Sequence, residues 1–339
     1  MIDQTVPTLE DVARLAQVST ATVSRCLNAP ERVASGTRER IEAAVDSLGY
    51  APNFSAKALV TRRTDIIGAV IPTLASAIFS RAIHAFQGEL DKLGWTLVLA
   101  ACDSNRATEA RQIRALIARG VDGLLLVGAE RDESIYRFLK QRNMPYVIGW
   151  TSEVMEGQSC VGFDNGAAMR ELTKKALEFG HRHFGVISAP VSQNDRARSR
   201  VAGVRQTLAG FGLPASALQV AEVPYEIDAA AEAFDGLMAA AVKPTVVMCG
   251  NDVQAAGAIR RAQQSGLHVP RDISITGFDN LEHAELVEPA ITTVDVPHVE
   301  MGTRAAMVVI DQLRGEQGAR QISLPAPLVM RGSLGPAPR

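Results

Sequence analysis

The sequence is short of aromatic residues, of cysteines and of net charge, and each shortage excludes a class of protein. Aromatic residues make up 5% of the 339 residues, while 47% are apolar and 21% are charged, which is typical of a packed globular chain. The formal net charge of −2 excludes wholesale coating of nucleic acid, so any DNA contact must come from a local site. The cysteines fit neither metal-ligand nor disulfide spacing, and we expect buried thiols. They are Cys26, Cys102, Cys160 and Cys249.

Long apolar runs and catalytic signatures are also missing. No stretch reaches about 18 consecutive apolar residues, and charged residues such as Asp11 and Arg14 stand where a secretory signal needs an apolar run. We therefore expect a cytoplasmic, nucleoid-associated protein with no membrane partner. The motifs GxGxxG, GxxxxGKS/T and GxSxG do not occur, which disfavours an enzyme with a nucleotide-binding fold. The His181-Arg182-His183 cluster lacks acidic or cysteine partners at ligand spacing, so we interpret it as a feature of a helix C-terminus and expect no metal, cofactor or catalytic residue.

What the sequence does contain begins with a short helical segment. A chain of 339 residues is too long for one core, which predicts two or three folding units. Thr8 is placed to cap a first helix, and Asp11 completes a capping box. Residues 17–19 interrupt the helical spacing before a second helix over 20–27, and a third helix follows over 37–48. Three helices in so few residues predict a small helix-turn-helix core.

The second of these helices has two chemically different faces. Its apolar residues share one face, and the opposite face carries Thr20, Ala21, Ser24, Arg25 and Asn28. A recognition helix needs small residues for close approach to the major groove and one long donor for base edges. Arg25 is that donor, since its planar fork can pair with guanine O6 and N7, while the hydroxyls of Ser19, Thr22 and Ser24 can hold phosphates. The alternative is a three-helix capping domain with a solvated polar face.

From Asp65 onward, β-branched runs alternate with amphipathic helices. The runs that predict strands are 66–71, 96–101, 124–127, 146–148, 184–188, 245–249 and 273–277. So many βα units suit two doubly wound lobes, with a ligand between them at the carboxyl ends of the strands. The Pro/Gly-rich tail over 332–339 is expected to be frayed. Because the tail has no leucine heptads, a dimer is favoured over a tetramer.

Several stretches together resemble the LacI/GalR repressors. They are Thr8-Leu9-Glu10-Asp11-Val12-Ala13, Val18-Ser19 to Thr22-Val23-Ser24-Arg25, Leu48-Gly49-Tyr50-x-Pro52-Asn53, Ala56-x-x-Leu59 and Gly277-Phe278-Asp279-Asn280. The resemblance runs through essentially the whole chain. It implies an N-terminal all-α helix-turn-helix headpiece followed by an α/β body of two doubly wound lobes, like that of a periplasmic binding protein. Glu10 departs from the pattern, because some members carry a larger polar or aromatic side chain there, near a phosphate.

The resemblance also implies how the chain is divided. A DNA-binding headpiece would occupy residues 1–50, a hinge helix and linker 51–64, and an effector-binding and dimerisation domain 65–339. Within that domain the N-lobe would comprise 65–164 and 295–322, and the C-lobe 165–294 and 323–334.

The resemblance places Thr20, Ala21 and Arg25 at base-reading positions and makes residues 53–60 a hinge helix that folds on operator DNA. Leu59 would be a wedge in the minor groove, where unstacking costs a few kcal/mol and is offset by bending and wider contact. Its alternative role is that of a linker residue packed on the body. The full set of expected DNA contacts is Thr8, Ser19, Thr20, Ala21, Thr22, Ser24, Arg25, Asn28, Tyr50, Asn53, Ala56, Lys57 and Leu59.

In the body, the resemblance places effector contacts at Arg200, Asn251 and Asp279, with Tyr225 as a stacking aromatic residue. Guanidinium, amide and carboxylate groups supply the paired donors and acceptors that a polyol needs, and an aromatic ring covers its C–H surface. For each residue, a surface salt bridge or core packing is the alternative.

Two further stretches resemble the gluconate-repressor branch of the family: Val161-Gly162-Phe163-Asp164-Asn165 and Asp195-Arg196-Ala197-x-x-Arg200-x-x-Gly203. The second sets Arg196 and Arg200 four residues apart on one helical face, a suitable clamp for the carboxylate of a sugar acid. The alternative is that these cations pair with Asp195 or with solvent.

We therefore expect a homodimeric repressor that binds near-palindromic double-stranded operator DNA and is released by a small sugar or sugar-acid effector. One alternative is a regulator activated by a non-sugar co-repressor. Another is a solute-binding protein, which would share the two lobes but for which no export signal is found here.

Overall fold

The computed structural model describes residues 6–51, 63–74, 77–316 and 318–338. The chain divides into two compact units, residues 1–64 and 65–339.

The first unit contains the helix-turn-helix that the spacing predicts. Its helices are α1 (Leu9–Leu15), α2 (Thr20–Asn28) and α3 (Ser35–Leu48). The predicted capping box is confirmed, because Thr8 accepts from the Asp11 N–H and its own N–H donates to the Asp11 carboxylate at 2.9 Å. α3 ends at Gly49, whose φ of 62° lies in the left-handed region that favours glycine.

The second unit begins with a six-stranded parallel sheet. We call this sheet and the helices on its faces the N-lobe. The strands are β1 (Ile66–Ile71), β2 (Thr96–Ala101), β3 (Gly123–Val127), β4 (Tyr146–Gly149), β5 (Cys160–Gly162) and β11 (Gln321–Ser323). They pair in the order β11-β5-β4-β3-β1-β2. The helices are α4 (Ala77–Lys92), α5 (Arg106–Ala118), α6 (Glu133–Gln141) and α12 (His298–Leu313).

A second parallel sheet forms the C-lobe. Its strands are β6 (Phe184–Ser188), β7 (Leu218–Glu222), β8 (Val246–Cys249) and β9 (Ser274–Thr276), paired in the order β7-β6-β8-β9. β10 (Thr293–Val294) and β12 (Leu328–Val329) form a short antiparallel pair. The helices are α7 (Asn165–Glu178), α8 (Asp195–Gly210), α9 (Ile227–Met238), α10 (Asp252–Gln264) and α11 (His283–Leu286). The predicted fold class, a helical headpiece and two doubly wound lobes, is confirmed.

One apolar core continues from the N-lobe into the C-lobe. Phe86 and Leu125 of the first sheet region and Phe184 and Phe278 of the second belong to the same buried cluster. α12 approaches α4 so closely that a Cβ on Gly302 would lie 2.0 Å from the carbonyl oxygen of Ala82. The start of α12 is therefore held firmly against the N-lobe.

The expectation of a frayed tail is wrong for the described part of the C-terminus. Ser333 and Leu334 are buried, and the Ala337 N–H donates to the Phe179 carbonyl at 2.8 Å. The Gly335 carbonyl contacts Nε2 of His181 at 3.0 Å. Composition alone predicted fraying, but these tertiary hydrogen bonds order the segment.

The prediction that the His181-Arg182-His183 cluster marks a helix C-terminus is confirmed, because after α7 ends Arg182 donates to the Leu177 carbonyl at 3.1 Å and the His181 N–H donates to the Ala176 carbonyl at 3.2 Å. His181 has a tertiary role as well. Its ring is buried, and Nδ1 lies 2.9 Å from Oγ1 of Thr245. All four cysteines are buried, as the sequence predicts. Within the described ranges, no helix is long and apolar enough to cross a membrane.

Candidate functional site

The outward face of α2 carries the residues predicted to read bases. The helix is capped by Ser19, whose Oγ accepts from the Thr22 N–H at 3.2 Å, and it buries Val23 and Cys26. Thr20, Ala21, Arg25 and Asn28 are exposed. The guanidinium of Arg25 forms no hydrogen bond or ion pair with any residue that the structure describes. The helix therefore presents small side chains and one uncommitted guanidinium on the side opposite its core.

Several of the other predicted DNA contacts take part in local hydrogen bonds. Thr8 bonds to Asp11, the Ser19 and Thr22 hydroxyls lie 2.9 Å apart, and Asn28 donates to the Ser24 carbonyl at 2.8 Å. Tyr50 is half-buried against the headpiece core. The predicted contacts that lie outside the described residues are Asn53, Ala56, Lys57 and Leu59.

In the body, the predicted effector residues meet where the parallel strands of the C-lobe end. Asn251 follows β8, Asp279 follows β9, and Tyr225 lies on the loop after β7. Tyr225 packs next to Gly250, since a Cβ there would lie 3.4 Å from the tyrosine ring. Arg200 reaches the same place from α8. The structure thus brings together side chains from four separate segments at the strand carboxyl ends, where ligands bind in doubly wound folds.

Arg200 is the cation of this group and is buried, with 7% of its surface exposed. It donates to Oδ1 of Asn165 at 2.8 Å and to the Tyr225 hydroxyl at 2.7 Å, and its guanidinium lies 4.7 Å from the centre of the Phe278 ring. Its Nε–H has no partner among the described residues. A buried N–H is normally paired, so this donor is available to a ligand.

Asn251 and Asp279 add a second unpaired donor and a carboxyl group. The Asn251 Oδ1 caps α10 by accepting from the Gln254 N–H at 2.8 Å, which leaves its buried Nδ2 without a partner in the described part of the chain. Asp279 has a φ of 100° and is 5% exposed. Burial raises the pKa of Asp279 to about 7, and Asp252 acts in the same direction, whereas Arg200 and Arg196 oppose it.

Arg196 has neighbours different from those of Arg200. Its Nη1 lies 2.9 Å from Oδ1 of Asp195, which is the ion pair that the sequence left open as the alternative. Both side chains press on Gly128 of the N-lobe, where any Cβ would collide with them. Arg196 nevertheless lowers the pKa of Asp279, so it contributes positive charge to the cleft.

Polar contacts join the two lobes beside this cleft. Oδ2 of Asp195 accepts from the Ala129 N–H at 2.6 Å, and Arg198 pairs with Glu130 at 2.7 Å. Elsewhere, Arg81 of α4 pairs with Glu282 at 3.0 Å. These hydrogen bonds and ion pairs connect the two lobes, so a change in the angle between the lobes must alter them.

Three buried residues of the body were given no role of their own from the sequence. Trp150 follows β4, Asn165 begins α7, and His298 begins α12. Their positions directly after strands or at helix starts are a signal that was available in the sequence. Their burial and pairing, which mark them as unusual, depend on the tertiary structure.

Comparison with known proteins gives a consistent result for both units. Residues 8–53 match the family described as bacterial regulatory proteins, lacI family, and residues 173–334 match the periplasmic binding protein-like domain. The chain is 31% identical over 334 residues to the HTH-type transcriptional repressor CytR of Escherichia coli (strain K12), with 97% of each chain covered.

Solved structures show the same architecture. The lac repressor dimer bound to operator and the anti-inducer ONPF is similar with a TM-score of 0.85 and 26% identity, covering 98% of this chain and 100% of that one. The transcriptional regulator CelR in complex with cellobiose is similar with a TM-score of 0.71 and 30% identity, covering 96% and 99%. Headpiece and body thus occur together in transcriptional regulators, which disfavours the solute-binding alternative.

Proposed function

The chain belongs to the LacI family of bacterial regulatory proteins, and from that premise we propose that it represses genes of carbohydrate or sugar-acid catabolism and leaves its operator when a small effector binds. It is a DNA-binding transcriptional regulator with a helix-turn-helix headpiece and an effector-binding body.

The proposal that the chain reads operator DNA rests on the outward face of α2. Thr20 and Ala21 are small and exposed, and Arg25 is uncommitted, so the helix can enter a major groove and place a bidentate donor against guanine. The remaining proposed contacts hold phosphates or form the hinge of residues 51–64. They are Thr8, Ser19, Thr22, Ser24, Asn28, Tyr50, Asn53, Ala56, Lys57 and Leu59.

The effector half of the proposal rests on the donors of the cleft. Arg200 Nε and Asn251 Nδ2 are buried and have no partner within the described ranges, and both donate, so the effector must present acceptor oxygens to them. Arg196 and Arg200 add positive charge; Asp195, whose pKa is lowered, pairs with Arg196, and Asp279, with a pKa of about 7, is only partly ionised near neutral pH. Tyr225 supplies an aromatic face. A polyhydroxylated acid such as gluconate fits this balance of charge and hydrogen bonding.

Effector binding would control DNA binding through the angle between the lobes. Two copies of the chain would pair through their bodies and place two α2 helices on successive half-sites of a near-palindromic duplex. An effector that favours one lobe angle would change the spacing of the two hinges and thereby the affinity for the operator.

A thermal-shift panel tests the effector proposal. D-gluconate, D-glucose, glucose 6-phosphate and guanine are each added to the wild-type chain and to Arg200→Ala. We expect D-gluconate to raise the melting temperature of the wild type and to have no effect on the variant, which should still bind DNA. Stabilisation by guanine alone would favour a non-sugar co-repressor, and equal stabilisation of both chains would place the effector elsewhere.

A further inference from the structure

Two of the missed residues carry buried polar atoms that no described residue satisfies. Nε1 of Trp150 has no partner among the described residues, and neither ring nitrogen of His298 has a partner there at hydrogen-bond geometry, although the Asp279 backbone lies beside the imidazole. Trp150 is 4% exposed and His298 is 3% exposed. An unpaired buried polar atom destabilises a fold, so such atoms are uncommon unless a ligand or an ordered water completes them.

A continuous series of contacts places both residues at the effector cleft. Arg200 bonds to Asn165, and Nδ2 of Asn165 donates to the Trp150 carbonyl at 2.9 Å. The Trp150 N–H lies 3.3 Å from Sδ of Met301, which stands one helical turn after His298 on the same face of α12.

Asp279, one of the predicted effector residues, connects His298 to the cleft. The Asp279 backbone lies beside His298 and opposes the fall in the pKa of its imidazole. The Asp279 carboxyl in turn lies in the field of Arg200. Trp150, His298, Asp279 and Arg200 therefore belong to one connected group of residues.

The backbone at this space is strained as well. Trp150 has a φ of 64° and Asp279 a φ of 100°, both in a region that bulky side chains rarely adopt. Trp150 is held there by its contacts with Asn165 and Met301 and by an edge-on contact with Phe79 at 5.2 Å. Residues held in unfavourable conformations by their surroundings concentrate at ligand sites.

We propose that Trp150 and His298 contact the effector and determine its specificity. The indole N–H of Trp150 donates to an acceptor oxygen of the effector, and the neutral imidazole of His298 binds a hydroxyl group as both donor and acceptor. This assignment rests on the proposed function, because it concerns the same cleft, and it adds two residues that read the hydrogen-bonding character of the ligand.

The donor count defines the class of ligand further. An indole N–H can only donate, and so can the free N–H groups of Arg200 and Asn251. Burial lowers the pKa of His298 to about 4, with Arg81 acting in the same direction, so its ring is neutral near pH 7 and offers one donor and one acceptor. The cleft therefore accepts an oxygen-rich, hydroxylated ligand and rejects one with an ammonium group at the same place.

Trp150→Phe and His298→Phe test the assignment because they remove the unpaired atoms and keep aromatic bulk. The matched controls are Trp95→Phe, whose indole N–H is not among the unpaired buried atoms, and His181→Phe, whose two ring nitrogens both have partners. Each variant is melted alone and then titrated calorimetrically with D-gluconate, with D-sorbitol and with D-glucamine, which carries an amino group in place of the carboxylate.

For the ligand-free proteins, we expect Trp150→Phe and His298→Phe to melt at or above the wild-type temperature, and His181→Phe to melt several degrees below it. The reason is that the first two variants lose only unpaired polar atoms, whereas the third loses satisfied hydrogen bonds. A His298→Phe protein that is destabilised as much as His181→Phe would overturn the assignment, whether or not any of the three compounds binds.

For the titrations, we expect each test variant to bind D-gluconate about tenfold or more weakly than the wild type, while Trp95→Phe binds it normally and D-glucamine binds to none of the proteins. Wild-type affinity in both test variants would overturn the assignment. If Arg200→Ala alone loses binding, the proposed function stands and only the roles of Trp150 and His298 fail. If the wild type ignores all three compounds, the sugar-acid proposal fails, and the melting comparison still decides the roles of these two residues.

Discussion

The guanidinium of Arg200 donates to the hydroxyl of Tyr225 across 2.7 Å, which joins α8 to the loop after β7. Two residues that the sequence assigned separately to the effector thus form one unit in the cleft. The Tyr225 hydroxyl and Oδ1 of Asn165 each accept a hydrogen bond from Arg200, and because they lie on different elements they fix the orientation of its guanidinium together.

Tyr225→Phe is expected to weaken this unit. The variant keeps the ring but leaves a buried Arg200 donor without its acceptor, and an unsatisfied buried donor costs about 1–3 kcal/mol. The melting temperature of the body should fall, and effector affinity should fall with it. Tyr50→Phe, in the headpiece, serves as the control and should leave the melting of the body unchanged. An unaltered melting temperature in Tyr225→Phe would show that the hydrogen bond contributes little.

Arg25→Ala should weaken operator binding by about 1–3 kcal/mol and relax the preference at one base pair of each half-site. Arg25→Lys is the matched control because it keeps the charge and loses the bidentate fork. We expect the lysine variant to retain the salt dependence of binding but to lose the same base preference. Selection of binding sites from random duplexes measures both effects, and a selected sequence identical to that of the wild type would contradict the role of Arg25.

Leu59→Ala should reduce specific operator binding far more than binding to unrelated DNA. A wedge acts only where the duplex is kinked at its own site, so its loss removes the gain from bending and leaves the phosphate contacts unaffected. The neighbouring Val60→Ala provides the comparison. Titrations against operator and scrambled duplexes check this, and equal losses on both duplexes would favour a linker role for Leu59.

Asp279 should make the stability of the body depend on pH in an unusual direction. Its folded pKa of about 7 is above the ordinary value of 3.8, so the folded state keeps a proton that the unfolded chain releases in between. The contribution of Asp279 is therefore fully present below about pH 4 and is lost as pH rises through 7, by an amount on the order of a few kcal/mol.

Asp279→Asn removes this dependence. The melting temperature of the variant relative to the wild type should rise between pH 4 and pH 7, and exposed Asp91→Asn should show no such trend. His298 acts in the opposite direction, because its pKa of about 4 lies below the ordinary 6.5, so its contribution is present above pH 6.5 and is lost as pH falls through 4. A constant difference between Asp279→Asn and the wild type across this range would contradict the raised pKa.

Strands with long β-branched runs could be predicted from the sequence, and those with weak local signals could not. β1, β2 and β6 have the predicted bounds, because each is a mainly apolar run of five or six residues that pairs along its length. β5 has only three residues and was missed. β7 was missed because its five residues, LQVAE, include polar side chains that interrupt the apolar run.

The candidate functional site also contains residues that could be assigned from the sequence and residues that could not. The residues of α2 could be assigned because a helix of nine residues shows its two faces directly in the sequence. Trp150 and His298 could not, because a buried tryptophan or histidine ordinarily has hydrogen-bond partners, and their absence becomes visible only when the surrounding elements are in place. The pairing of Arg196 with Asp195 was open for the same reason.

We expect an effector bound in the body to control the affinity of the headpiece for DNA. The most direct test selects a duplex from a random library with the full chain and then measures binding by fluorescence anisotropy with and without the compound that stabilises the body. We predict a near-palindromic duplex that binds two chains and is released as the compound is added, with no release from Arg200→Ala. A chain that prefers no symmetric duplex at modest ionic strength, or that holds one equally with and without that compound, would contradict the claim.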